Sequence, residues 1–382
     1  MQRLSALHNN VGRFIITLLL VCTAWVFSPA APLMAGDWPM FMKDGVHSSS
    51  SDESIGTSLK LKWSLKTGGG IYSSPVVSNG TVYVGSYDHT LYAIDAESGR
   101  IKWSFESGGE ILSTPAVANG AVFFGSKDGF AYAVNSEDGA LLWKYETRGR
   151  IVASPVVGDG RLYIPSNDTY LYVLDVKDGS KVWRMRFVDY KYSGIYASPI
   201  YRDGIVYGAG KTGAVYAQDG ESGARIWLWS TRAPVYASPT VKDGRVYIIS
   251  YNRNVYALDV ETRRVYWSRS VGAWGYASPV AVGDLIYAGF KDGKIRGFST
   301  SDGAVKQEIS LPDAVNSTMA VTSDGIAFVG CEDGYLYALD LERDGTVVWQ
   351  YKTGGGVHSS PAIANGTVYV GSKDGVLYAF SE

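Results

Sequence analysis

Residues 73–103 read SSPVVSNGTVYVGSYDHTLYAIDAESGRIKW, and most of the remaining chain repeats this stretch with small changes. Seven copies keep the proline near its start, and an eighth has Met319 in that place. The prolines are Pro75, Pro115, Pro155, Pro199, Pro239, Pro279 and Pro361. Successive copies are 40 to 44 residues apart. A nearly fixed period of this length predicts one structural unit per copy, with each unit stacked on its neighbours.

One copy contains four short strand-like segments and leaves no room for a helix. Asn79-Gly80 separates the first two segments, and this dipeptide favours the tight turn of a β-hairpin. Residues 82–84 and 91–94 are apolar on both faces, so each sheet is expected to be covered on both sides. Sheets that pack face to face on two neighbours, one sheet per copy, are the blades of a β-propeller.

The two ends of the chain indicate that the propeller closes. Residues 61–65 (LKWSL) match the fourth segment of a copy, whereas the last segment, residues 377–380 (LYAF), matches the third. If these segments pair, the eighth blade is complete and no sheet edge stays open at the junction. The sequence therefore predicts an all-β, eight-bladed propeller of four-stranded antiparallel blades, with an N-terminal strand closing the last blade.

The first residues have the pattern of a secretory signal peptide. Arg3 and Arg13 precede the apolar residues 14–27, and a stretch of small residues ends at Ala35. We expect residues 1–35 to be a signal peptide, with an uncleaved membrane anchor as the alternative. This would place the protein in the periplasm or elsewhere in the cell envelope.

A short segment between the signal peptide and the first strand matches no copy. It contains Trp38, Met40 and Phe41, which are unusual side chains in a free tail. We expect residues 36–58 to be a leader that packs on the ring. Residues 59–382 then form the propeller itself.

The charge of the chain is nearly balanced. It has 35 Lys and Arg residues against 37 Asp and Glu residues, for a net charge of −2. The net charge becomes −4 without the first 36 residues, because they hold two arginines and no acid. Such a chain has no net attraction for nucleic acid or anionic lipid. We expect a monomer with no nucleic-acid partner and no membrane span after signal cleavage.

Tryptophan recurs at one position in the fourth segment of the copies. These residues are Trp63, Trp103, Trp143, Trp183, Trp227, Trp267 and Trp349. A large ring at the same place in each unit is expected to fill the space between neighbouring blades. Gln307 takes this position in one copy, close to Met319, so the sequence predicts looser packing at the junction there.

The copies follow the pattern SSP, then NGxVYVGSxDGxLYAxDxxxGxxxW, after a leader that reads DWPMF. This pattern resembles the repeats of the pyrroloquinoline-quinone (PQQ)-type β-propeller superfamily over residues 37–382. In size and export signal the chain is similar to the BamB type, the propeller subunit of the outer-membrane β-barrel assembly machinery. The resemblance implies the fold, and it allows both quinoprotein dehydrogenases and binding propellers that hold no cofactor.

If the chain were one of the dehydrogenases, the resemblance would imply carboxylate and amide ligands for a calcium ion beside the quinone. It would also imply two adjacent cysteines at the cofactor pocket. Beyond residue 36 this chain has one cysteine, Cys331, and no two of its histidines have the spacing of metal ligands. Its acids recur mainly at two turn positions, where aspartate stabilises its own backbone. We expect no enzymatic activity, no catalytic residue, no metal and no cofactor, with PQQ and calcium as the alternative.

Variation between the copies is expected to mark the binding face. Tyrosines stand three residues before the marker proline in several copies, with cations nearby, and Tyr, Trp and Arg are common anchors of interfaces. The predicted partner-binding residues are Tyr72, Arg150, Lys191, Tyr196, Arg232, Tyr236, Trp274, Tyr276 and His358. The alternative is that the tyrosines only fill the central channel.

These observations favour a non-enzymatic, exported scaffold that binds an extended peptide or a loop of an envelope or outer-membrane protein, with a role in outer-membrane protein assembly. Two other hypotheses stay open. One is a PQQ-dependent oxidoreductase or PQQ-binding protein. The other is a carbohydrate-binding propeller, because tyrosine and tryptophan faces also suit sugar rings.

Overall fold

The computed structural model describes residues 37–186 and 194–382. Within these ranges the chain forms eight four-stranded antiparallel sheets, and sheets that are consecutive in the chain pack face to face. The predicted signal peptide, residues 1–35, lies outside the described residues. So does the segment 187–193, which contains Lys191 and the four-residue insertion of the fourth copy.

The strand bounds follow the repeat. The fourth strand of blade eight comes first in the chain and is β1 (Lys60–Lys66). Blades one to four contain β2 (Val76–Ser78), β3 (Thr81–Gly85), β4 (Thr90–Asp95), β5 (Ile101–Glu106), β6 (Ala116–Ala118), β7 (Ala121–Gly125), β8 (Phe130–Asn135), β9 (Leu141–Glu146), β10 (Val156–Gly158), β11 (Arg161–Pro165), β12 (Tyr170–Asp175), β13 (Lys181–Arg186), β14 (Ile200–Arg202), β15 (Ile205–Ala209), β16 (Ala214–Asp219) and β17 (Arg225–Ser230). Blades five to eight contain β18 (Thr240–Lys242), β19 (Arg245–Ser250), β20 (Asn254–Asp259), β21 (Val265–Ser270), β22 (Val280–Val282), β23 (Leu285–Gly289), β24 (Lys294–Ser299), β25 (Val305–Ser310), β26 (Ala320–Val321), β27 (Ile326–Gly330), β28 (Tyr335–Asp340), β29 (Thr346–Lys352), β30 (Ala362–Ala364), β31 (Thr367–Gly371) and β32 (Val376–Ser381).

Helical structure is limited to one 3₁₀ turn, Leu341–Arg343, in the part of the chain that the structure describes. In that part, no helix has the length and apolar character needed to cross a membrane.

The hairpin between the first two strands of a blade sets the register of the sheet. Asn79 and Gly80 have φ angles of 49° and 68°, and Ser78 pairs with Thr81 across the turn. Positive φ at both central residues gives the turn whose twist matches that of the flanking strands. Blades one to five and blade eight share this geometry, whereas only Gly283 in blade six and Gly325 in blade seven have positive φ at this turn.

The ring closes as the sequence predicts. β1 pairs antiparallel with β32, with Leu61 opposite Phe380 and Leu65 opposite Leu377. Blade eight therefore consists of β30, β31 and β32 from the end of the chain and β1 from near its start. The eight-bladed propeller and its N-terminal closing strand are both confirmed.

The repeated tryptophans occupy the junctions between blades. Each indole Nε1 donates to a backbone carbonyl of the next blade, over 2.6 to 3.3 Å. The donors are Trp63, Trp103, Trp143, Trp183, Trp227, Trp267 and Trp349, and the acceptors in the same order are Ala96, Ser136, Val176, Gly220, Val260, Thr300 and Leu59. Several of the indole rings also pack directly on a glycine in a turn of the next blade. Gly99, where φ is +70°, is an example, because a Cβ added to it would lie only 2.7 Å from the Trp63 ring.

The junction that lacks a tryptophan is filled in another way. The Gln307 side-chain nitrogen donates to the carbonyl of Leu341 over 3.0 Å, which reproduces the indole hydrogen bond. Ile309 packs on the turn glycine Gly345, as a tryptophan does at other junctions. The contact is so close that a Cβ added to Gly345 would lie 2.1 Å from the Ile309 side chain. Met319 is buried in the same cluster. The looser packing expected from the sequence is not what the structure shows at this junction.

The segment that precedes β1, residues 37–58, lies across the end of the central channel nearer the hairpins. Trp38 is buried and exchanges two backbone hydrogen bonds of 2.8 Å with Val77 of blade one. Further along, Gly45 accepts from the backbone of Tyr201 in blade four, and Val321 of blade seven bonds with Ser49 and Ser51. The free inner edges of these blades therefore pair with the leader.

His47 of the leader is buried, and burial lowers the pKa of its imidazole to about 4. In the unfolded chain the pKa is about 6.5, so the unfolded state takes up the proton first as the pH falls. The effect of the neutral His47 on the free energy of unfolding is fully favourable above pH 6.5. Between pH 7 and pH 4.5, protonation of the unfolded chain lowers the free energy of unfolding by about 2 to 3 kcal/mol. Urea unfolding at the two pH values measures it.

The matched control is His47→Asn. Asparagine tolerates the φ of +58° at this position, and its amide can donate to the Pro239 carbonyl, which lies 3.1 Å from His47 Nδ1. The variant has no group that titrates there, so we expect its stability to fall less between pH 7 and pH 4.5 than that of the parent protein. Equal losses in both proteins would show that His47 has no such effect.

Candidate functional site

The central channel forms a cavity of about 570 Å³ that opens on the face predicted for binding. The first strand of each blade runs from this mouth toward the hairpins, where the leader crosses. Phe41 of the leader lines the cavity at its inner end and makes an edge contact with His47. The site is therefore a funnel, open at the mouth and covered by the leader at the inner end.

A closed ring of hydroxyl groups surrounds the funnel, which we call the hydroxyl ring. In each blade the backbone N–H of the residue before the marker proline donates to the side-chain hydroxyl of the same residue in the next blade, over 2.8 to 3.1 Å. Its members are Ser74, Thr114, Ser154, Ser198, Ser238, Ser278, Thr318 and Ser360. In the sequence this position served only to locate the marker proline. The signal for the ring was that every copy has a serine or threonine there.

Above the hydroxyl ring, the mouth carries a continuous series of aromatic contacts, which we call the aromatic arc. Ring centroids are 5.4 Å apart for Tyr196 and Tyr236 and 5.5 Å apart for Tyr236 and Tyr276. Tyr276 lies 6.3 Å from His358, which lies 5.6 Å from Tyr72. The structure thus brings together five of the residues that the sequence selected.

The turn between the second and third strands adds residues that the sequence analysis did not select. The backbone N–H of each donates to a carbonyl in the loop that leads into the first strand of its own blade, for example Lys127 to Glu110 over 3.0 Å and Lys291 to Trp274 over 2.9 Å. The residues at this position are Tyr87, Lys127, Asn167, Lys211, Tyr251, Lys291, Glu332 and Lys373. In each copy they follow a small or buried residue, and they are not the same residue in every blade. This variation was the signal in the sequence that the turn belongs to the binding face.

Two of these turn residues extend the aromatic arc. Tyr87 stacks on Tyr72 at 4.4 Å, and Tyr251 lies 4.7 Å from Tyr236 and 4.4 Å from Trp274. Trp274 therefore contacts the arc through Tyr251, and it also meets Tyr276 at 5.5 Å. The arc spans blades four, five and six and continues through blade eight to blade one.

The charged side chains of the wall are unevenly distributed. Lys127 and Arg150 line the cavity beside Leu112 and Val152, on the side away from most of the arc. Lys127 also contacts Glu110 at 3.6 Å. Among the described residues, no carboxylate forms an ion pair with Arg150. Lysines also lie over rings of the aromatic arc, Lys291 over Tyr276 at 5.1 Å and Lys373 over Tyr72 at 5.5 Å, but Arg150 stands on the aliphatic side.

Glu332 connects several groups near blade eight. Its carboxylate accepts from His358 at 3.2 Å, from Lys373 at 2.6 Å and from Asn316 at 2.6 Å. These hydrogen bonds, that from His358 foremost, hold the pKa of Glu332 well below its usual range. The carboxylate is therefore ionised and fully engaged in positioning His358 and Asn316 in the wall of the funnel.

Not every predicted residue belongs to the funnel. Tyr72, Arg150, Tyr196, Tyr236, Tyr276 and His358 line the cavity, and Trp274 lies behind it. Arg232 is exposed in a turn with a φ of +58° and is not one of the residues that line the cavity. Lys191 lies outside the described residues.

The repeated aspartates stabilise turns, as the sequence indicated. Asp128 accepts from the backbone N–H of Phe130 and Gly108 and from the hydroxyl of Tyr132, over 2.6 to 2.9 Å. Blades one, three and eight repeat these three bonds. Cys331 is buried as well, and burial raises the pKa of its thiol to about 12. None of these groups is poised for catalysis.

A calcium ion beside a quinone does not fit the side chains of this funnel. The carboxylates nearest the cavity, Glu110 and Glu332, contact Lys127 and the group around His358. Within the described ranges, no three His, Cys, Asp or Glu side chains are grouped as metal ligands would be. Calcium prefers six to eight oxygen ligands with several carboxylates. The lining offers hydroxyls, aromatic rings and cations instead.

The sequence profile of the family described as "Outer membrane protein assembly factor BamB" matches residues 47–186, 167–320 and 312–382. The chain belongs to this family. The matches together cover the whole propeller, including the segment that closes the ring. No individual curated protein matches the chain.

Solved structures with the same fold include a BamB protein and several dehydrogenases. BamB from Moraxella catarrhalis is 19% identical, with a TM-score of 0.72, over 85% of this chain and 98% of its own. A europium-containing methanol dehydrogenase is 16% identical, with a TM-score of 0.77, over 91% of this chain and 98% of its own. Quinohemoprotein alcohol dehydrogenase from Comamonas testosteroni is 15% identical, with a TM-score of 0.77, over 90% and 80%. At such identities these likenesses describe the fold, which the BamB family shares with quinoprotein dehydrogenases.

Proposed function

We propose that this protein is a non-enzymatic scaffold of the cell envelope, and that its funnel mouth binds an extended segment or loop of an envelope or outer-membrane protein. The aromatic arc carries the proposal. Interfaces obtain most of their affinity from a few Tyr, Trp and Arg side chains clustered around a pocket. Here seven aromatic side chains and Arg150 surround one opening.

The family supports the same role, since its description names a factor of outer-membrane protein assembly. Export through the N-terminal signal, a location in the periplasm or on the envelope, and a monomeric state are parts of the proposal. The engagement of the aspartates in turns also favours binding over catalysis, because these carboxylates are held by backbone donors.

The test is the variant Tyr196→Ala, Tyr236→Ala, Trp274→Ala, compared with the parent protein in chemical crosslinking and affinity capture from native envelope. Truncation of anchor side chains costs about 2 kcal/mol or more each, so recovery of the crosslinked partner should fall at least about tenfold. Mass spectrometry quantifies the partner, and a melting curve shows whether the ring is intact.

A control variant removes three exposed side chains from the outer strands: Leu142→Ala, Leu228→Ala and Tyr266→Ala. It should capture the partner as the parent does. If the mouth variant captures the partner equally well but melts at a lower temperature, the tyrosines only fill the channel, and the proposed site is wrong.

Quinone binding is a second candidate, because aromatic rings beside Lys127 and Arg150 also suit a planar anion. Equilibrium dialysis of the purified protein with PQQ, followed by an absorbance spectrum, tests it. Retained quinone absorbance that disappears in Arg150→Gln would favour this role over protein binding.

A further inference from the structure

The inner end of the funnel limits what can enter it. The leader crosses the channel below the hydroxyl ring, and Phe41 faces the cavity from there. An extended polypeptide that enters from the mouth meets this floor after a short distance. A chain end fits such a space better than an uninterrupted chain, which would have to turn back within it.

The hydroxyl ring offers donors to whatever reaches the floor. Each of its oxygens accepts a backbone N–H from the preceding blade, as described above. Within residues 37–186 and 194–382, no protein acceptor takes the hydrogen of any of these eight hydroxyls. Seven of the residues are more than nine-tenths buried. The floor is therefore surrounded by hydroxyls that each already accept one hydrogen bond and still have their own hydrogen to donate, so a group that only accepts hydrogen bonds complements it.

The wall adds positive charge and one unused acceptor. Lys127 and Arg150 line the cavity, and they favour an anion. Asn316 is only 5% exposed, and while its nitrogen donates to Glu332, its side-chain oxygen has no partner. A buried polar atom without a partner is costly. This oxygen is itself covered, so a peptide N–H satisfies it once the Asn316 side chain turns toward the cavity, whereas a bare anion would not.

We infer that the funnel receives the free C-terminal carboxylate of an extended peptide. The carboxylate accepts hydrogen bonds from the hydroxyl ring, Lys127 and Arg150 provide the charge, and Asn316 accepts from the peptide backbone. The side chains next to the terminus contact the aromatic arc. The inference rests on the proposed protein-binding function and specifies the part of the partner that is bound.

The experiment uses two pools of N-acetylated, fluorescently labelled hexapeptides with randomised sequences. One pool ends in a free carboxylate and the other in a C-terminal amide. Retention of each pool by the immobilised full-length protein is measured, and the most strongly retained peptide is then titrated by fluorescence anisotropy in both forms. Loss of one charge-assisted set of hydrogen bonds should make the amide form bind at least about tenfold more weakly.

Two variants test the residues. Thr318→Val keeps the shape of the side chain and removes one hydroxyl donor together with the acceptor of the Ser278 N–H, and Arg150→Gln removes the charge. Each should weaken binding of the free-acid peptide by about threefold to tenfold and leave the amide peptide nearly unaffected. Thr346→Val and Arg184→Gln make the same chemical changes on the outer strands and should have no effect. Melting curves confirm that the variants fold.

The outcomes separate this inference from the proposed function. If both forms of the peptide bind equally, and the variant of Tyr196, Tyr236 and Trp274 loses both, the mouth binds peptides but the carboxylate assignment is overturned. Retention of peptides with internal Asp or Glu from both pools would also overturn it, in favour of an acidic side chain. If neither pool of peptides is retained, the carboxylate inference is also overturned. The proposed protein-binding function is then judged separately, by the capture of an envelope partner.

Discussion

Removal of residues 1–66 is expected to leave a chain that does not form a stable monomeric ring. Within the described chain, β1 is the strand that pairs with the outer side of β32, and Trp63 and Leu65 pack in the cluster that joins blades one, seven and eight. Loss of β1 exposes the edge of β32 and this apolar surface to other chains. Because a domain of this kind is stable by only about 5 to 15 kcal/mol, the loss is comparable to the total.

Removal of residues 1–58 is the matched control, and removal of residues 1–36 is the reference. The control keeps Leu59, which accepts from Trp349, and β1, but loses the leader. It should remain a monomeric ring with a lower melting temperature, because Trp38 and its backbone bonds are gone. Size-exclusion chromatography and thermal melting compare the three chains. A chain lacking residues 1–66 that melts like the control would show that β1 is not needed for closure.

The second large effect is expected for Trp103→Ala. The side chain of Trp103 is buried, donates to Ser136 over 3.1 Å and covers the turn at Gly139, where a Cβ would lie 2.6 Å from the ring. Its removal leaves a cavity and takes away one of the two donors to the Ser136 carbonyl, which keeps the Tyr83 hydroxyl at 3.0 Å. The free energy of unfolding should therefore fall by about 3 to 5 kcal/mol, mainly because of the cavity. Urea unfolding measures the change.

Gln307→Ala provides the comparison at the equivalent position. Ile309 already covers Gly345 there, so the variant loses mainly two hydrogen bonds: the one to the Leu341 carbonyl and the one that Gln307 accepts from the Tyr287 hydroxyl at 2.5 Å. The cost is about 1 to 3 kcal/mol. We expect the reverse change, Gln307→Trp, to destabilise rather than stabilise the ring, because Ile309 occupies the space that an indole would need. A loss of stability at Gln307 equal to that at Trp103 would contradict this account of the junctions.

The fold could be predicted from the sequence because the same local signals recur in every copy. Asn79-Gly80 specifies a hairpin by backbone conformation alone, and eight such signals at one period specify eight blades. Closure followed from the missing fourth strand at the end of the chain, and the pairing of Leu65 with Leu377 confirms it. Local chemistry and overall topology agree throughout this part of the chain.

The funnel was less predictable because its parts come from contacts between blades. The tyrosines were found since they stand at one position of the copies, whereas Lys127 and Lys291 lie in a different turn and reach the same wall only after folding. Seven of the eight bonds of the hydroxyl ring join residues 40 to 44 positions apart, and the eighth joins Ser360 to Ser74. A hydroxyl in every copy indicates the members of the ring, but the bonds between them form only when the blades assemble. The course of the leader depends on free strand edges that exist only in the assembled ring.

That leader also affects the mechanics of the propeller. It bonds to Val77, Tyr201 and Val321, which belong to blades one, four and seven and are therefore spread around the circumference. These attachment points, with a fourth at Val117 of blade two, resist distortion of the ring into an oval, because a change in its diameter would strain the bonds of the leader that crosses it. We therefore expect the funnel mouth to have the same width with and without a bound ligand. A ligand then meets a preformed opening, and little affinity is lost to reorganisation of the protein.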